Sequence, residues 1–109
     1  MVSPLLNSNL NIKSGFIATD YSDNKISYAY NGFMAMIHID GLKNVAKNTS
    51  TVICTLPEGA QPSGDRVVDI SNSSGAFIRL TILVNGSVYV YNYTDIGLGN
   101  ITQSFTYMK

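Results

Sequence analysis

Two side chains in this sequence could support acid–base or nucleophilic chemistry. They are His38 and Cys54, each the single residue of its type. His38 stands two residues before Asp40, so in an extended segment both side chains share a face and the carboxylate could orient the imidazole. No recognisable motif places a serine or cysteine nucleophile beside this pair, and Cys54 lies in an apolar run, whereas catalytic thiols sit in electropositive, partly exposed places. We therefore expect a structural histidine, a buried cysteine, no catalytic residue and no enzyme.

The sequence does not predict a metal or cofactor site either. One histidine and one cysteine cannot build a structural zinc site. The glycines of segment 97–100 are not set between a strand and a helix, so they do not form a phosphate cradle. The aspartates are dispersed and lack the spacing of a calcium loop, at Asp20, Asp23, Asp40, Asp65, Asp69 and Asp95.

Binding chemistry is better represented, above all by the alternating tyrosines Tyr89, Tyr91 and Tyr93. Side chains two apart on a strand share a face, so the three rings would form a row. Such a row could stack against sugars, or it could pack against a second sheet or a subunit with its hydroxyls reaching water. The candidate saccharide-binding residues, chosen by type and polarity from both faces of the hairpin, are Tyr89, Tyr91, Tyr93, Asn92, Arg79, Asp65 and His38.

The tyrosines lie in a predicted β-hairpin whose turn is the Asn85-Gly86 pair, since Asn-Gly tolerates the positive φ angles of a type I′ turn. A two-residue turn there places Ile82 opposite Tyr89. Opposed residues share a face, so this register groups Ile78, Leu80 and Ile82 with the tyrosines, and Arg79, Thr81 and Leu83 with Val88, Val90 and Asn92. A bulge or a three-residue loop would exchange the groups.

The rest of the chain repeats this alternation of short apolar runs and turn residues. A second Asn-Gly turn follows at Asn31-Gly32, a rigid proline- and glycine-containing loop spans 56–64, and one helical turn is conceivable at 42–46. Residues 1–14 are predicted as an arm or linker and 15–109 as the folded domain. The pattern predicts an all-β, antiparallel β-sandwich or jelly-roll-like head of about eight strands, at 16–21, 26–30, 33–39, 51–55, 66–71, 77–84, 87–93 and 103–108.

Composition excludes several classes of function. The net charge is zero, charged residues are 13% of the chain, and no basic cluster exists, so nucleic-acid binding is not expected. A single cysteine cannot form a disulfide within the chain. The first residues lack a basic n-region, and no apolar run approaches the roughly 20 residues of a membrane span, so neither a secretory signal nor membrane insertion is expected.

One ordered set of short motifs resembles the C-terminal head domains of tail-fibre and baseplate receptor-binding proteins from phages of Gram-positive bacteria. A strand runs into Leu-Pro-x-Gly-x-x-Pro, and Val-Asn-Gly-x-Val and a terminal strand with tyrosine follow. The family usually has Tyr-Arg where this chain has Ala60-Gln61, so no role of that pair is carried over. The resemblance covers roughly 15–109, and the matching residues are Leu56, Pro57, Gly59, Pro62, Val84-Asn85-Gly86-Ser87-Val88 and Phe105-Thr106-Tyr107, with Tyr30-Asn31-Gly32-Phe33 and Ile37-His38-Ile39 before them.

The resemblance implies a β-sandwich head, usually a homotrimer, at the tail tip or baseplate of a virion and therefore extracellular. Such heads commonly recognise saccharides of the bacterial cell surface and contact other tail proteins. Trimerisation would account for the segment 33–39, which is apolar on both faces, although a central strand would account for it equally. Two alternatives remain open: a structural tail or baseplate module that binds no sugar, and a carbohydrate-binding module of a larger bacterial protein.

Overall fold

The computed structural model describes residues 11–71, 75, 77–93 and 101–109. Within this part of the chain, regular structure consists of β-strands and one short 3₁₀ turn, Glu58–Ala60. The expectation of an all-β sandwich is confirmed. The strands are β1 (Lys13–Ile17), β2 (Ile26–Tyr30), β3 (Met34–Ile39), β4 (Ser50–Thr55), β5 (Arg66–Ser71), β6 (Phe77–Ile82), β7 (Ser87–Asn92) and β8 (Gln103–Met108).

The strands form two antiparallel four-stranded sheets. Sheet 1 has the order β1-β2-β3-β8, and sheet 2 has the order β4-β7-β6-β5. β3 is a central strand, which gives one reason why segment 33–39 is apolar. Alternate residues of each strand point into the space between the sheets, as in other sandwiches.

The core between the sheets consists mainly of branched aliphatic side chains. β4 contributes two consecutive buried residues, Ile53 and Cys54, because a bulge between Val52 and Cys54 shifts its register against β7. Burying each aliphatic side chain of this size contributes about 1.5–3 kcal/mol. The fully buried members are Ile26, Ile37, Ile39, Leu42, Ile78, Leu80, Ile82, Val88 and Val90.

The proline-containing loop after β4 closes one end of the sandwich. Its 3₁₀ turn buries Ala60 completely, and the Tyr107 hydroxyl donates a 2.7 Å hydrogen bond to the Ala60 carbonyl oxygen. Burial raises the pKa of Tyr107 to about 12. Ala60 fills its space, so a tyrosine at position 60 would not fit without displacing its neighbours.

Three local predictions need correction. β1 is Lys13–Ile17, so it begins three residues before the predicted strand 16–21 and ends four residues before the predicted end of that strand, and its first two residues belong to the segment predicted as an arm. No helical turn forms at 42–46, because the backbone N–H groups of Leu42 and Lys43 donate to the distant carbonyls of Ile101 and Tyr21. After the second Asn-Gly pair, β3 begins at Met34 and not at the predicted residue 33, and the side-chain oxygen of Asn31 accepts hydrogen bonds from the N–H groups of Phe33 and Met34 at 2.8 and 2.9 Å.

Candidate functional site

The turn between β6 and β7 determines where the tyrosines lie. The N–H of Gly86 donates to Leu83 O at 2.9 Å, and the N–H of Leu83 donates to Ser87 O at 2.9 Å. The loop therefore has three residues, with Gly86 at φ 87° in the left-handed region, and Ile82 pairs with Val88. The expected two-residue turn, which paired Ile82 with Tyr89, is wrong by one position.

This one-residue shift exchanges the faces of the hairpin, since side chains alternate along a strand. Ile78, Leu80 and Ile82 lie with Val88, Val90 and Asn92 in the core, not with the tyrosines. Arg79 and Thr81 lie opposite Tyr91 and Tyr89 on the outer face of sheet 2. The interpretation that the tyrosines pack against the second sheet is therefore also wrong.

We call this outer surface of sheet 2 the tyrosine face. The Tyr91 and Tyr93 ring centroids are 4.5 Å apart with planes inclined by 46°, and Phe77 and Tyr93 are 5.3 Å apart at 47°. The exposed fraction of Tyr93 is 41%, and Tyr89 and Tyr91 are half-buried. Its members are Ser50, Val52, Val67, Asp69, Ser71, Phe77, Arg79, Thr81, Tyr89, Tyr91 and Tyr93.

A fixed ion pair stands beside the rings. Arg79 Nε donates to Asp69 Oδ1 at 2.8 Å and Nη2 donates to Oδ2 at 3.1 Å, which is the bidentate geometry of a guanidinium on a carboxylate. The hydrogen bond from Arg79 lowers the pKa of the Asp69 carboxyl below its ordinary value, with desolvation opposing it. The same bond raises the pKa of Arg79, and Tyr93 adds to that effect. At neutral pH both groups are charged and hold each other in place.

The tyrosine face combines apolar ring surfaces with polar groups at fixed positions. Tyrosine rings offer an apolar body with a polar tip, which suits a ligand that is apolar on one side and hydroxylated at its edge. A pyranose ring is such a ligand, because its C–H bonds can lie on an aromatic face while its hydroxyls reach neighbouring polar groups. Beside the tyrosine hydroxyls, the face provides the guanidinium of Arg79, the carboxylate of Asp69 and the hydroxyls of serine and threonine residues such as Ser50 and Thr81.

Three of the seven candidate residues lie elsewhere. Asn92 is buried with 4% of its surface exposed, and its side-chain amide donates to Val45 O at 3.2 Å, so it is a core residue and cannot contact a ligand on this face. His38 lies on the outer face of sheet 1, where its Nδ1 is 2.6 Å from Ser104 Oγ. Asp65 precedes β5 and accepts a 3.3 Å hydrogen bond from the N–H of Val84 in the turn.

Sequence reasoning missed Asp69, Phe77 and Val52 as members of the face. Phe77 has the same parity as Arg79 on β6, so the alternation of the strand carried a signal for it. Asp69 is opposite Arg79 only because of the β5–β6 register, and Val52 is opposite Tyr89 only because β4 pairs with a strand far along the chain. Neither pairing can be derived from local sequence.

Cys54, His38 and Asp40 do not come together as one group, although the hydroxyl of Ser104 lies beside His38. Cys54 is in the core, where burial raises its pKa to about 12, and His38 is on the outer surface of the other sheet. The carboxylate of Asp40, which in the sequence could have oriented His38, accepts hydrogen bonds from Asn24 at 2.6 Å and Thr102 at 3.2 Å. Among the residues that the structure describes, no three histidine, cysteine or acidic side chains are grouped to hold a metal ion.

A groove of about 300 Å³ lies between β5 and β8. Leu80, Ile82, Phe105 and Tyr107 give it apolar walls. Arg66 stands at this groove, but its guanidinium donates to the carbonyls of Met108 and Gly64. The groove therefore offers shape and apolar surface with few polar groups to orient a ligand, and the tyrosine face is the better candidate.

Comparison with known proteins does not add a relationship, since no protein-family model matches the chain and no curated protein is detectably similar to it. Over the described ranges, no helix has the length and apolar character needed to cross a membrane.

Proposed function

We propose that this chain is a non-catalytic adhesion domain that binds saccharides of the bacterial cell surface through the tyrosine face. The observation that carries the proposal is the outward row of Tyr89, Tyr91 and Tyr93 beside the bidentate Arg79–Asp69 pair. Aromatic side chains on a surface are costly to leave in water, so a row of them beside rigid polar groups supports a binding role.

The inclination of the rings supports a particular kind of saccharide. Neighbouring planes at 46° and 47° form a ridged surface, not a flat one. A ridged surface fits a flexible or turning polysaccharide chain, in which successive sugar rings differ in orientation, better than the flat face of a crystalline polymer. Wall polysaccharides of Gram-positive bacteria are the class that we propose.

The biological setting of this proposal comes from the resemblance to phage receptor-binding heads. It makes the chain part of a virion, at the tail tip or baseplate, in contact with other tail proteins and arranged as a homotrimer. Three weak, shallow saccharide sites on one particle bind a surface far more tightly than one, because the second and third contacts are intramolecular.

Binding to intact Gram-positive cells and to their purified wall polysaccharide tests the proposal. We expect the fluorescently labelled domain to bind both, and a Tyr91→Ala variant to bind at least about fivefold more weakly, since loss of one aromatic contact costs on the order of 1 kcal/mol or more. Phe33→Ala is the matched control, because Phe33 is an exposed aromatic residue, 52% accessible, in the turn between β2 and β3.

Two results would overturn the proposal. The first is unchanged binding by the Tyr91→Ala variant, which would move the site away from the tyrosine face. The second is an absence of binding to every wall preparation, which would favour a structural tail module. A carbohydrate-binding module of a larger protein is expected to be monomeric, so the mass in solution distinguishes that alternative from the proposed homotrimer.

A further inference from the structure

The sequence contains the pair Asn-Gly twice, at Asn31-Gly32 and Asn85-Gly86, and each pair lies in a turn between two antiparallel strands. In such a pair the main-chain nitrogen of glycine can attack the side-chain amide carbon of asparagine, because glycine has no β-carbon to obstruct the approach. The reacting atoms belong to one short stretch of chain, so a backbone that holds them in the right geometry accelerates the step. The two pairs have the same chemistry, and the structure around each one determines which of them reacts.

The pair between β6 and β7 is held in an unreactive arrangement. The N–H of Gly86 donates to Leu83 O at 2.9 Å, and Gly86 O accepts from the N–H of Leu56 at 2.8 Å. Gly86 is buried, and its φ of 87° belongs to the three-residue loop. Its nitrogen can attack Asn85 only after the hydrogen bond to Leu83 is broken and the loop opens. We therefore expect Asn85 to be protected in the folded chain.

The pair between β2 and β3 is open to solvent. Gly32 is exposed, and no atom lies within 4 Å of a β-carbon at this position. Over the part of the chain that the structure describes, no acceptor receives a hydrogen bond from the N–H of Gly32. A base in the solvent can therefore remove the proton from this nitrogen, and the nitrogen can approach the Asn31 side chain without losing a hydrogen bond.

The side-chain amide of Asn31 is polarised for this attack. Its Oδ1 accepts hydrogen bonds from the N–H groups of Phe33 at 2.8 Å and Met34 at 2.9 Å. When a nitrogen adds to the amide carbon, negative charge develops on this oxygen, and fixed N–H donors directed at such an oxygen stabilise the transition state. The corresponding oxygen of Asn85 accepts from the N–H of Ser87 at 3.0 Å, a single donor among the described residues.

The geometry points to Asn31 as a site of spontaneous chemical modification, through attack of Gly32 N on Asn31 Cγ. A bond forms between these two atoms, and the proton of Gly32 N passes to a base in the solvent. The bond from Cγ to Nδ2 breaks as the amide nitrogen takes up a proton from water and leaves as ammonia, so that a five-membered succinimide ring remains. Water then opens the ring at Cγ to give aspartate, or at the main-chain carbonyl to give isoaspartate, in which the main chain runs through the former side chain.

Isoaspartate at position 31 would alter contacts at one end of sheet 1. Asn31 O accepts a 2.9 Å hydrogen bond from Lys109 Nζ, and the N–H of Lys109 donates to Phe33 O at 2.9 Å, so the turn holds the segment after β8. An additional main-chain carbon at position 31 changes the spacing of these two carbonyls and displaces the N–H of Asn31 from Met34 O, now 3.0 Å away. We expect the modified turn to loosen the β2–β3 hairpin and to leave sheet 2 unchanged.

Peptide mapping by mass spectrometry, after prolonged incubation of the folded chain, tests the inference. Cleavage after lysine yields fragment 26–43, in which Asn31 is the one asparagine and no glutamine occurs, so the mass change from amide to acid reports on this residue alone. Asn85 is followed by sequencing its own fragment in the spectrometer. We expect Asn31 to be converted at least about tenfold faster than Asn85 in the folded chain. Conversion should be faster at alkaline than at neutral pH, because Gly32 N must lose a proton, and the two residues should react at similar rates in urea.

Gly32→Ala is the matched variant, because the position has room for a β-carbon while the methyl group hinders the attack. Fragment 26–43 of this variant should keep its mass over an incubation that converts the wild-type chain. Equal rates at Asn31 and Asn85 in the folded chain would overturn the inference, and so would slower conversion of Asn31 in the folded chain than in urea. The modified chain, isolated by anion exchange through its additional negative charge, should unfold at a lower urea concentration than the unmodified chain. An equal urea midpoint would contradict the loosening of the β2–β3 hairpin.

Discussion

Ile82 lies directly opposite Val88 across the β6–β7 hairpin, and this pairing determines which side of sheet 2 carries the tyrosines. Moving the register by one residue would bury Tyr89 and Tyr91 between the sheets and expose Val88 and Val90 to water. The observed register buries aliphatic side chains, which need no hydrogen-bond partners, and keeps the phenolic hydroxyls at the surface. The candidate site therefore depends on the geometry of a three-residue loop.

Replacing the glycine of that loop tests the register directly. In a Gly86→Ala variant the β-carbon would lie 2.6 Å from the Leu56 carbonyl oxygen, and an L-residue would be held at φ 87°. We expect a loss of about 2–4 kcal/mol in the free energy of unfolding, measured by urea denaturation, from the combined strain and steric conflict. The N–H of Leu56 donates to Gly86 O at 2.8 Å, so the loop cannot move away freely.

Gly32→Ala is the control for this change, because no atom lies within 4 Å of a β-carbon at that position and its φ is not left-handed. This substitution should leave the free energy of unfolding unchanged or raise it by up to about 1 kcal/mol, because alanine has fewer conformations than glycine in the unfolded chain. Equal destabilisation by both substitutions would contradict the assigned loop geometry.

The Arg79–Asp69 pair predicts a pH dependence. The pKa of Asp69 is lower in the folded chain than its ordinary value of 3.8. The ionised Asp69 carboxyl therefore stabilises the folded chain at pH values above 3.8, and this contribution is lost as the pH falls through the lower pKa of the folded state. In an NMR titration of the side-chain carboxyl we expect a midpoint below 3.8, and a return toward 3.8 in an Arg79→Gln variant. Identical midpoints in the two proteins would show that the pair is not formed in solution.

Cys54 is expected to be chemically inert in the folded protein. Burial raises its pKa from 9.0 to about 12, so the thiolate that reacts with alkylating reagents is scarce at neutral pH. The neutral thiol contributes stability that is fully present below pH 9.0 and is lost as the pH rises through about 12. We expect iodoacetamide to label Cys54 only in denaturant, as followed by mass spectrometry.

A thiol on the exposed side of the same strand provides the comparison. Thr55 follows Cys54 and is exposed, so a Thr55→Cys substitution in a Cys54→Ala background should be labelled in the native state. Native labelling of Cys54 at a similar rate would contradict its placement in the core.

The sequence predicted those strands that have clear alternation and turn residues at both ends. Segments 26–30, 66–71 and 103–108 have the predicted bounds, because local pattern and tertiary pairing agree there. β1 was misplaced because it is an edge strand with exposed apolar residues such as Phe16, so its alternation does not report on the core. The spacing of Leu42 and Val45 indicated a helix, but both side chains are buried by an irregular segment whose backbone bonds to distant residues.

The side of sheet 2 on which the tyrosines lie is predictable from the composition of β6 and β7. Asn-Gly is compatible with a two-residue turn and with a three-residue loop ending in a left-handed glycine, so the turn residues do not decide the register. The composition of the two strands does decide it. With the observed register, the aliphatic residues Val88 and Val90 are buried opposite Ile82 and Leu80, and the tyrosine hydroxyls stay at the surface. Asp69 and Val52 could not have been assigned, because their places depend on pairings between distant strands.

Chemical-shift mapping with soluble wall polysaccharide tests the central claim most directly. The domain, labelled with ¹⁵N and ¹³C, would be titrated with the polysaccharide while backbone and aromatic signals are followed. The account predicts that the largest changes occur at Tyr89, Tyr91 and Arg79, with little change at His38 and Ser104 on the other sheet. Changes confined to the outer face of sheet 1, or none at a saturating concentration, would contradict it.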